Sequence, residues 1–407
     1  MSGALSHIRV LDLSRVLAGP WAGLLLADMG AEVIKVERPG KGDDTRGWGP
    51  PYLKDEDGRD TSEAAYYLGT NRGKKSLTLD ISRPEGQEIV RRLAVKSDIL
   101  LENYMVGTLR RYGLGYDDLK AVNPGLIYCS ITGFGQTGPY SHRAGYDFII
   151  QGMAGLMSVT GEREGLPGGG PQKVGIPVAD LFTGMYSTVA VLAALAHRSV
   201  SGVGQHIDMA LLDVLVSTMG TAYMNYLTTG NVLKSYGNAA ANIVPYQVFP
   251  CRDGRIVLAV GNDGQFAKLC EIAGREELSK DERFATNAGR VRNRDILIPI
   301  LEEILRQRDV QEWVEALDPV GVPCGPINNM AQVFENPQVR HRGMLLEMPH
   351  PLSGRVPQVA SPFRFSETPV RYHSPPPTLG QHTREILHEL LGMDDREIAG
   401  LSERGIV

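Results

Sequence analysis

Strand and helix signals alternate through residues 8–135, and no other feature limits the possible folds as much. Residues 8–13 form a short apolar run interrupted by Asp12, and 18–29 have helical composition and stop at Gly30. The segment 32–37 (EVIKVE) has the pattern of a second strand, and 76–80 that of a third. Pro84 stands where a helix can begin, and 85–95 carries helical periodicity with its charges on the outer face. Residues 98–102 and 126–132 supply a fourth and a fifth strand signal. Strands separated by helices specify βαβ units, a mostly parallel sheet and an α/β fold with Rossmann-like topology.

The rhythm breaks at 38–66, a long polar segment rich in Gly, Pro and Asp. Loops of that length in compact domains are usually functional or mobile. Beyond Gly145 the pattern turns helical, with long apolar helices expected at 180–198 and 206–227 and a glycine-rich loop at 161–175. Their few charges imply burial, in a core or against another subunit. Strand signals at 246–251 and 255–260 then flank Arg252-Asp253-Gly254, a hairpin signature. Helical stretches follow at 265–272, 295–306 and 310–317. This delimits a small α+β domain at 240–330, between a first large segment, 1–225, and a C-terminal segment, 340–407.

Lys and Arg number 42 against 47 Asp and Glu, a net charge of −5. That balance speaks against nucleic acid or an anionic membrane surface as a partner. Cys129, Cys251, Cys270 and Cys324 are far apart and the nine histidines form no HExxH pattern, so no disulfide framework or metal site is expected. Residues 1–7 lack the apolar core of a secretory signal. The most apolar stretch, 186–196, is shorter than the ~20 residues of a bilayer span. These features describe a soluble protein of a reducing compartment, cytoplasmic or, in a eukaryote, of the mitochondrial matrix.

Gly133-Phe134-Gly135-Gln136-Thr137-Gly138 matches GxGxxG in letters. It follows the fifth strand rather than the first, and Pro139 to Arg143 do not open an apolar helix, so a glycine-rich turn near a ligand is the better reading. Asp180 stands where the glycine-rich loop meets a long apolar helix. Asp in such a place is ordinarily an N-cap. The same place suits catalysis, because a helix N-terminus keeps a carboxylate ionised and offers N–H groups to a developing oxyanion. Basic residues after the strands, Arg15, Arg38, Arg111 and Arg143 among them, lie at the edge where α/β sheets bind ligands and suit a phosphorylated one.

Several segments in one order resemble the class III CoA-transferases of the formyl-CoA and carnitine type. They are Leu11-Asp12-Leu13-Ser14-Arg15-Val16-Leu17-Ala18-Gly19-Pro20, then residues 30–37 (GAEVIKVE), Glu102-Asn103-Tyr104, 132–139 (TGFGQTGP) and Val178-Ala179-Asp180-Leu181-Phe182-Thr183-Gly184. The resemblance implies a Rossmann-like large domain built from both chain ends, a small domain between, and ring-shaped subunits interlocked in a homodimer. It implies that Asp180 is the nucleophile that carries CoA as an aspartyl thioester, with no metal and no permanently bound cofactor; acyl-CoA thioesters and free carboxylic acids are the substrates. Carried over by position, the CoA contacts are Val16, Ala18, Arg38, Leu79, Asn103, Tyr104 and Arg111, with Arg143 nearby.

Within the family the segments resemble the succinyl-CoA:glutarate branch, through 42–46 (GDDTR), 48–51 (WGPP), 243–247 (IVPYQ), 325–330 (GPINNM) and 379–383 (LGQHT). A short dicarboxylate such as glutarate is then the expected acceptor. Arg46 is the candidate for its second carboxylate, and Trp48 for a wall of the acyl pocket. The alternatives are an α-methylacyl-CoA racemase and a non-catalytic CoA-ester binder. Racemases of this superfamily use a His-Asp pair where this chain has Tyr146-Asp147. A phenol of pKa ~10 is a poor α-proton base at neutral pH. Tyr146 and Asp147 are accordingly expected at the substrate, not as the acid–base pair.

Overall fold

A computed structural model describes residues 3–407, so the first two positions of the 1–7 stretch lie outside it. The chain divides into two units. The larger comprises Met1–Ala154, Gly175–Tyr223 and Pro337–Val407, and the smaller Gly155–Val174 and Met224–Asn336.

The larger unit is built on a six-stranded sheet in the order β5-β2-β1-β6-β7-β8, from β1 (Arg9–Asp12), β2 (Glu32–Glu37), β5 (Lys74–Thr78), β6 (Ile99–Glu102), β7 (Ile127–Thr132) and β8 (His206–Ala210). Between β2 and β5 a short antiparallel pair, β3 (Tyr52–Lys54) and β4 (Asp60–Ala64), occupies the long polar segment. Every pairing in the sheet is parallel. Counted along the chain, the six strands run 3-2-1-4-5-6, the Rossmann order, whose direction reverses between β1 and β6. Helix α1 (Ala18–Asp28) and the Pro84–Val95 helix make the first crossovers. The strands are covered on both faces, so nearly every position of β1, β2 and β6 is buried, the charged Asp12, Lys35, Glu37 and Glu102 included.

The expectation of one helix over 206–227 fails at its start. His206–Ala210 is the sixth strand, and helix follows at Leu211–Thr218 and Gly220–Thr229. HIDMA alternates polar and apolar residues and pairs in register with Tyr128–Thr132, so ladder partners outweigh local helical composition. The preceding Val178–Ser201 helix has 24 residues and is apolar enough to cross a membrane, longer than its central 186–196 run suggests. Here it is the crossover from β7 to β8. It packs on α1 so closely that a Cβ on Gly184 would lie 2.7 Å from the Ala18 carbonyl oxygen.

The C-terminal segment returns to the β5 edge. Thr383 Oγ1 accepts from the Thr78 amide at 3.0 Å, His382 Nδ1 accepts from the Ser76 amide at 3.1 Å, and Ile386 and Leu387 join Leu77 and Leu79 in the core. The smaller unit has a three-stranded antiparallel sheet, Cys324–Pro326, Arg255–Ala259 and Tyr246–Pro250 in that order. Its core is formed by Phe249, Phe266, Phe284 and Trp313. The glycine-rich loop, expected in the large segment, belongs with this unit. Gly161 accepts from the Gly237 amide at 3.0 Å and Glu162 from the Ser235 hydroxyl at 3.1 Å.

Candidate active site

A cavity of about 250 Å³ opens beyond the carboxyl ends of β1, β6 and β7, where the strand order reverses. Open α/β sheets bind ligands there because the two diverging crossovers leave a crevice. Val16, Ala18, Asn103, Tyr104, Arg143, Tyr146 and Asp180, seven of the residues singled out in the sequence, line it together.

The segment after β1, whose residues Arg15 to Ala18 line the cavity, is held from behind by buried charge. Lys35 donates to the Ser14 carbonyl at 3.0 Å and to Asp43 at 2.8 Å, and Lys74 donates to Asp12 at 3.0 Å and the Pro20 carbonyl at 2.8 Å. Burial alone would raise the Asp43 carboxyl, but Lys35 and the Thr45 donors outweigh it and hold it at about 2. Asp43 in turn accepts the Val16 amide at 3.2 Å. That bond matters because Val16 has φ 71°, a left-handed backbone that costs a β-branched residue about 1–2 kcal/mol. Strain held this way turns the Val16 backbone toward the cavity. Asn103 ties the β1 and β6 loops together: Oδ1 accepts from the Arg15 amide at 2.9 Å and Nδ2 donates to the Arg15 carbonyl at 2.7 Å.

Asp180 sits in the first turn of the Val178–Ser201 helix, not at its N-cap, which is Pro177. The capping role falls to Asp147, whose Oδ1 accepts from the Ala179 amide at 2.7 Å and, more weakly, from the Asp180 amide at 3.4 Å. The helix terminus therefore stabilises Asp147. Asp180 is left with burial and a neighbouring negative charge, and the two, burial first, raise its carboxyl from 3.8 to about 7. This reverses the expectation of a carboxylate kept fully ionised by the helix. Asp147 reaches that place because Gly133 and Gly145 pack backbone to backbone. A Cβ on Gly133 would lie 2.5 Å from the Gly145 Cα, which is what the glycine-rich turn after β7 is for.

Arg46 is not free to meet a substrate. It donates to Glu37 at 2.8 and 2.9 Å, Glu63 at 2.9 Å, Tyr67 at 2.6 Å and the Pro377 carbonyl at 3.0 Å. The guanidinium pins the 38–66 loop to the sheet, because two buried carboxylates on β2 and β4 demand a cation. Trp48 stays 45% exposed and meets the Tyr66 ring edge-on at 5.1 Å. Arg38 is exposed just past β2, Leu79 is a core residue, and Arg111 is bonded to Thr108 at 3.3 Å. None of these three lines the cavity. Tyr146 is 61% exposed at its rim.

One residue the sequence reading passed over, Tyr66, belongs to the site, and Arg15, one of the basic residues noted after the strands, joins it. Burial and the charges of Asp180 and Asp147 push the Tyr66 phenol up to about 12, so the hydroxyl stays protonated beside both carboxylates. Arg15 lines the cavity with its guanidinium 5.2 Å from the Tyr104 ring centre. Tyr66 lies in a single short turn of helix, Ala65–Leu68, at the end of the long polar segment, and no periodicity marks it.

The model of CoA-transferase family III matches residues 5–383. The chain belongs to this family. As a class III CoA-transferase it is similar to the succinate–glutarate CoA-transferase of Agrobacterium fabrum, 50% identical over 386 residues that cover 95% of both chains. It is 45% identical over 403 residues to the human succinyl-CoA:glutarate CoA-transferase, covering 99% of this chain and 90% of the human one. Among solved structures, a CAIB/BAIF family protein from Brucella suis superposes with a TM-score of 0.83 at 49% identity, covering 96% of this chain and all of the other. CoA-transferases act on CoA thioesters, and a cavity at the sheet's switch point with two cations, Arg15 and Arg143, is suited to one.

Proposed function

We propose that this transferase moves CoA from succinyl-CoA to glutarate and that Asp180 carries the CoA between them. One observation supports this above the others: the Asp180 carboxylate shares one cavity with Val16, Ala18, Asn103 and Tyr104, the positions at which the family resemblance implies CoA contacts. In the first half, an Asp180 oxygen attacks the succinyl thioester carbonyl. Collapse expels CoA thiolate and leaves a succinyl–aspartyl anhydride. The thiolate attacks the aspartyl carbonyl, succinate leaves, and Asp180 holds CoA as a thioester. Glutarate then attacks that thioester, expelling the thiolate again, and the thiolate takes the glutaryl group from the new anhydride. Asp180 is regenerated as a carboxylate, and no net proton is consumed. A carboxylate of raised pKa is the stronger nucleophile once ionised, which fits the first step.

Arg143, flanked by the Phe134 and Tyr140 rings at 5.3 and 4.7 Å, and Arg15 answer the negative charge of the thioester, with Arg38 and Arg111 reserved for the adenosine phosphates. The working form is a homodimer of interlocked subunits. Phe148, Ile149, Met185, Tyr186, Val189 and Val216 are all exposed on the larger unit, an apolar surface that a second copy would cover. The compartment is cytoplasmic, or the mitochondrial matrix in a eukaryote.

The test is mass spectrometry of CoA esters after incubation in D₂O with succinyl-CoA, a (2R)-2-methylacyl-CoA and a panel of free acids. Formation of glutaryl-CoA, absent in Asp180→Ala, is expected. Near-normal turnover in Asp180→Ala sinks the mechanism. A one-dalton gain in the methylacyl-CoA without a new ester identifies a racemase instead.

A further inference from the structure

Glu102 ends β6 only 5% exposed, and no lysine or arginine among the described residues acts on its carboxyl. One oxygen accepts the Tyr104 amide at 2.8 Å, and Ser130, its ladder partner on β7, stands beside it with a hydroxyl that favours the ionised form. Ser130 in turn lies 2.9 Å from His206 Nε2 on β8, and the His206 ring stacks on Tyr116 at 5.2 Å. Asp208, on the same strand, is the charged group whose field reaches Glu102. His206 feels Asp208 and Asp117, and its proton affinity is lowered by burial. Lys35 on β2 and Arg15 act on the Tyr104 phenol.

The row Glu102–Ser130–His206 allows two proton arrangements. With Glu102 ionised, the Ser130 hydroxyl donates to it and accepts from His206 Nε2–H. With Glu102 protonated, its O–H donates to Ser130, which donates to an unprotonated His206 Nε2. Only the first gives the Tyr104 amide a charged acceptor. The amide matters because Asn103 and Tyr104 line the cavity and Asn103 holds the Arg15 loop.

We propose that Glu102 is a positioning residue for the CoA thioester: in its ionised form, backed by Ser130 and His206, it holds the Asn103–Tyr104 turn against the cavity. The inference rests on the cavity being the CoA site. Burial first, with Asp208 adding to it, raises the Glu102 carboxyl to about 7, so the two arrangements exchange near neutral pH.

The experiment is calorimetric titration of CoA into the wild type, Glu102→Gln and Ser130→Ala in steps from about pH 5.5 to about pH 9, with kcat measured alongside. Gln resembles the protonated form, so Glu102→Gln should bind CoA about five-fold more weakly than wild type at the alkaline end and about equally at the acid end, the worth of a charge-assisted over a neutral hydrogen bond. Saturated kcat should stay within about two-fold. Titration of the ligand phosphate and of Asp180 is common to both proteins and cancels in the ratio. Ser130→Ala removes one donor, so the pH dependence should persist with its midpoint moved upward; this variant carries the test if Glu102→Gln does not fold. Wild-type affinity and pH dependence retained in Glu102→Gln, or an unmoved midpoint in Ser130→Ala, overturns the proposal. Failure of the wild type to bind CoA overturns the function reading and this inference with it. CoA binding that ignores Glu102 overturns this inference alone.

Discussion

Replacing Asp147 by Asn tests how the nucleophile is tuned. Asn retains an Oδ1 to accept the Ala179 amide, so the start of the helix keeps its cap. What disappears is the negative charge beside Asp180. The Asp180 carboxyl stands at about 7 against a reference of 3.8, with burial as the larger cause and Asp147 as the second. Of that rise of about 3 units, Asp147 therefore supplies less than half, and its removal should lower the Asp180 carboxyl by at most about 1.5 units. Only the ionised carboxylate attacks, so activity rises with pH through this value and the acid limb should move down by the same amount. At about pH 5.5 the ionised fraction grows from about 3% to as much as about one half. The plateau above about pH 8 should fall a few-fold, because a less basic carboxylate is a weaker nucleophile. The assay is kcat/KM for succinyl-CoA from about pH 5.5 to about pH 9, in each case also with Glu102→Gln so that Glu102 does not titrate in the same range. An acid limb that stays in place, or moves upward, refutes the electrostatic coupling of the two carboxylates.

Asp180→Asn should stabilise the protein while abolishing transfer. The native carboxyl is raised, so the folded state binds more protons than the unfolded one between 3.8 and about 7, and stability is lost as pH rises through that window. Above it the Asn variant should gain up to about 4 kcal/mol in urea unfolding, a gain that fades toward about pH 4; no gain at about pH 8 would contradict the strained carboxylate. Arg46→Met leaves Glu37 and Glu63 without their cation and should cost about 3–5 kcal/mol in the same unfolding measurement. The KM for the acceptor acid should be unchanged in the folded fraction, and a selective rise in it would restore Arg46 as a substrate ligand. Gly184→Ala drives a Cβ to 2.7 Å from the Ala18 carbonyl, between the helix bearing Asp180 and the start of α1, where Ala18 lines the cavity. It should cost about 1–3 kcal/mol and lower kcat/KM about ten-fold, and unchanged kinetics would show that the two elements move independently.

The sequence by itself determined the sheet and the chemistry available to it. Periodicity and punctuation are local, so five of the six parallel strands, the glycine that stops α1 and the proline that opens the 84–95 helix were legible without tertiary information. The order of motifs, with Asp180 after a glycine-rich loop, was enough to resemble a family. Tertiary structure decided what each charge does. Arg46 reads as a free loop cation until Glu37 and Glu63, 9 residues before and 17 after it in the chain, are seen around it. Asp180 reads as an N-cap until Asp147, from 33 residues upstream, takes the capping role, and burial together with the Asp147 charge raises the Asp180 carboxyl. Glu102 reads as a strand end and His206 as the start of a helix until the sheet sets Ser130 of β7 between them. Hydrophobic patterning acts over a few residues along the chain, whereas desolvation and Coulomb interactions depend on distances in space, and only folding sets those.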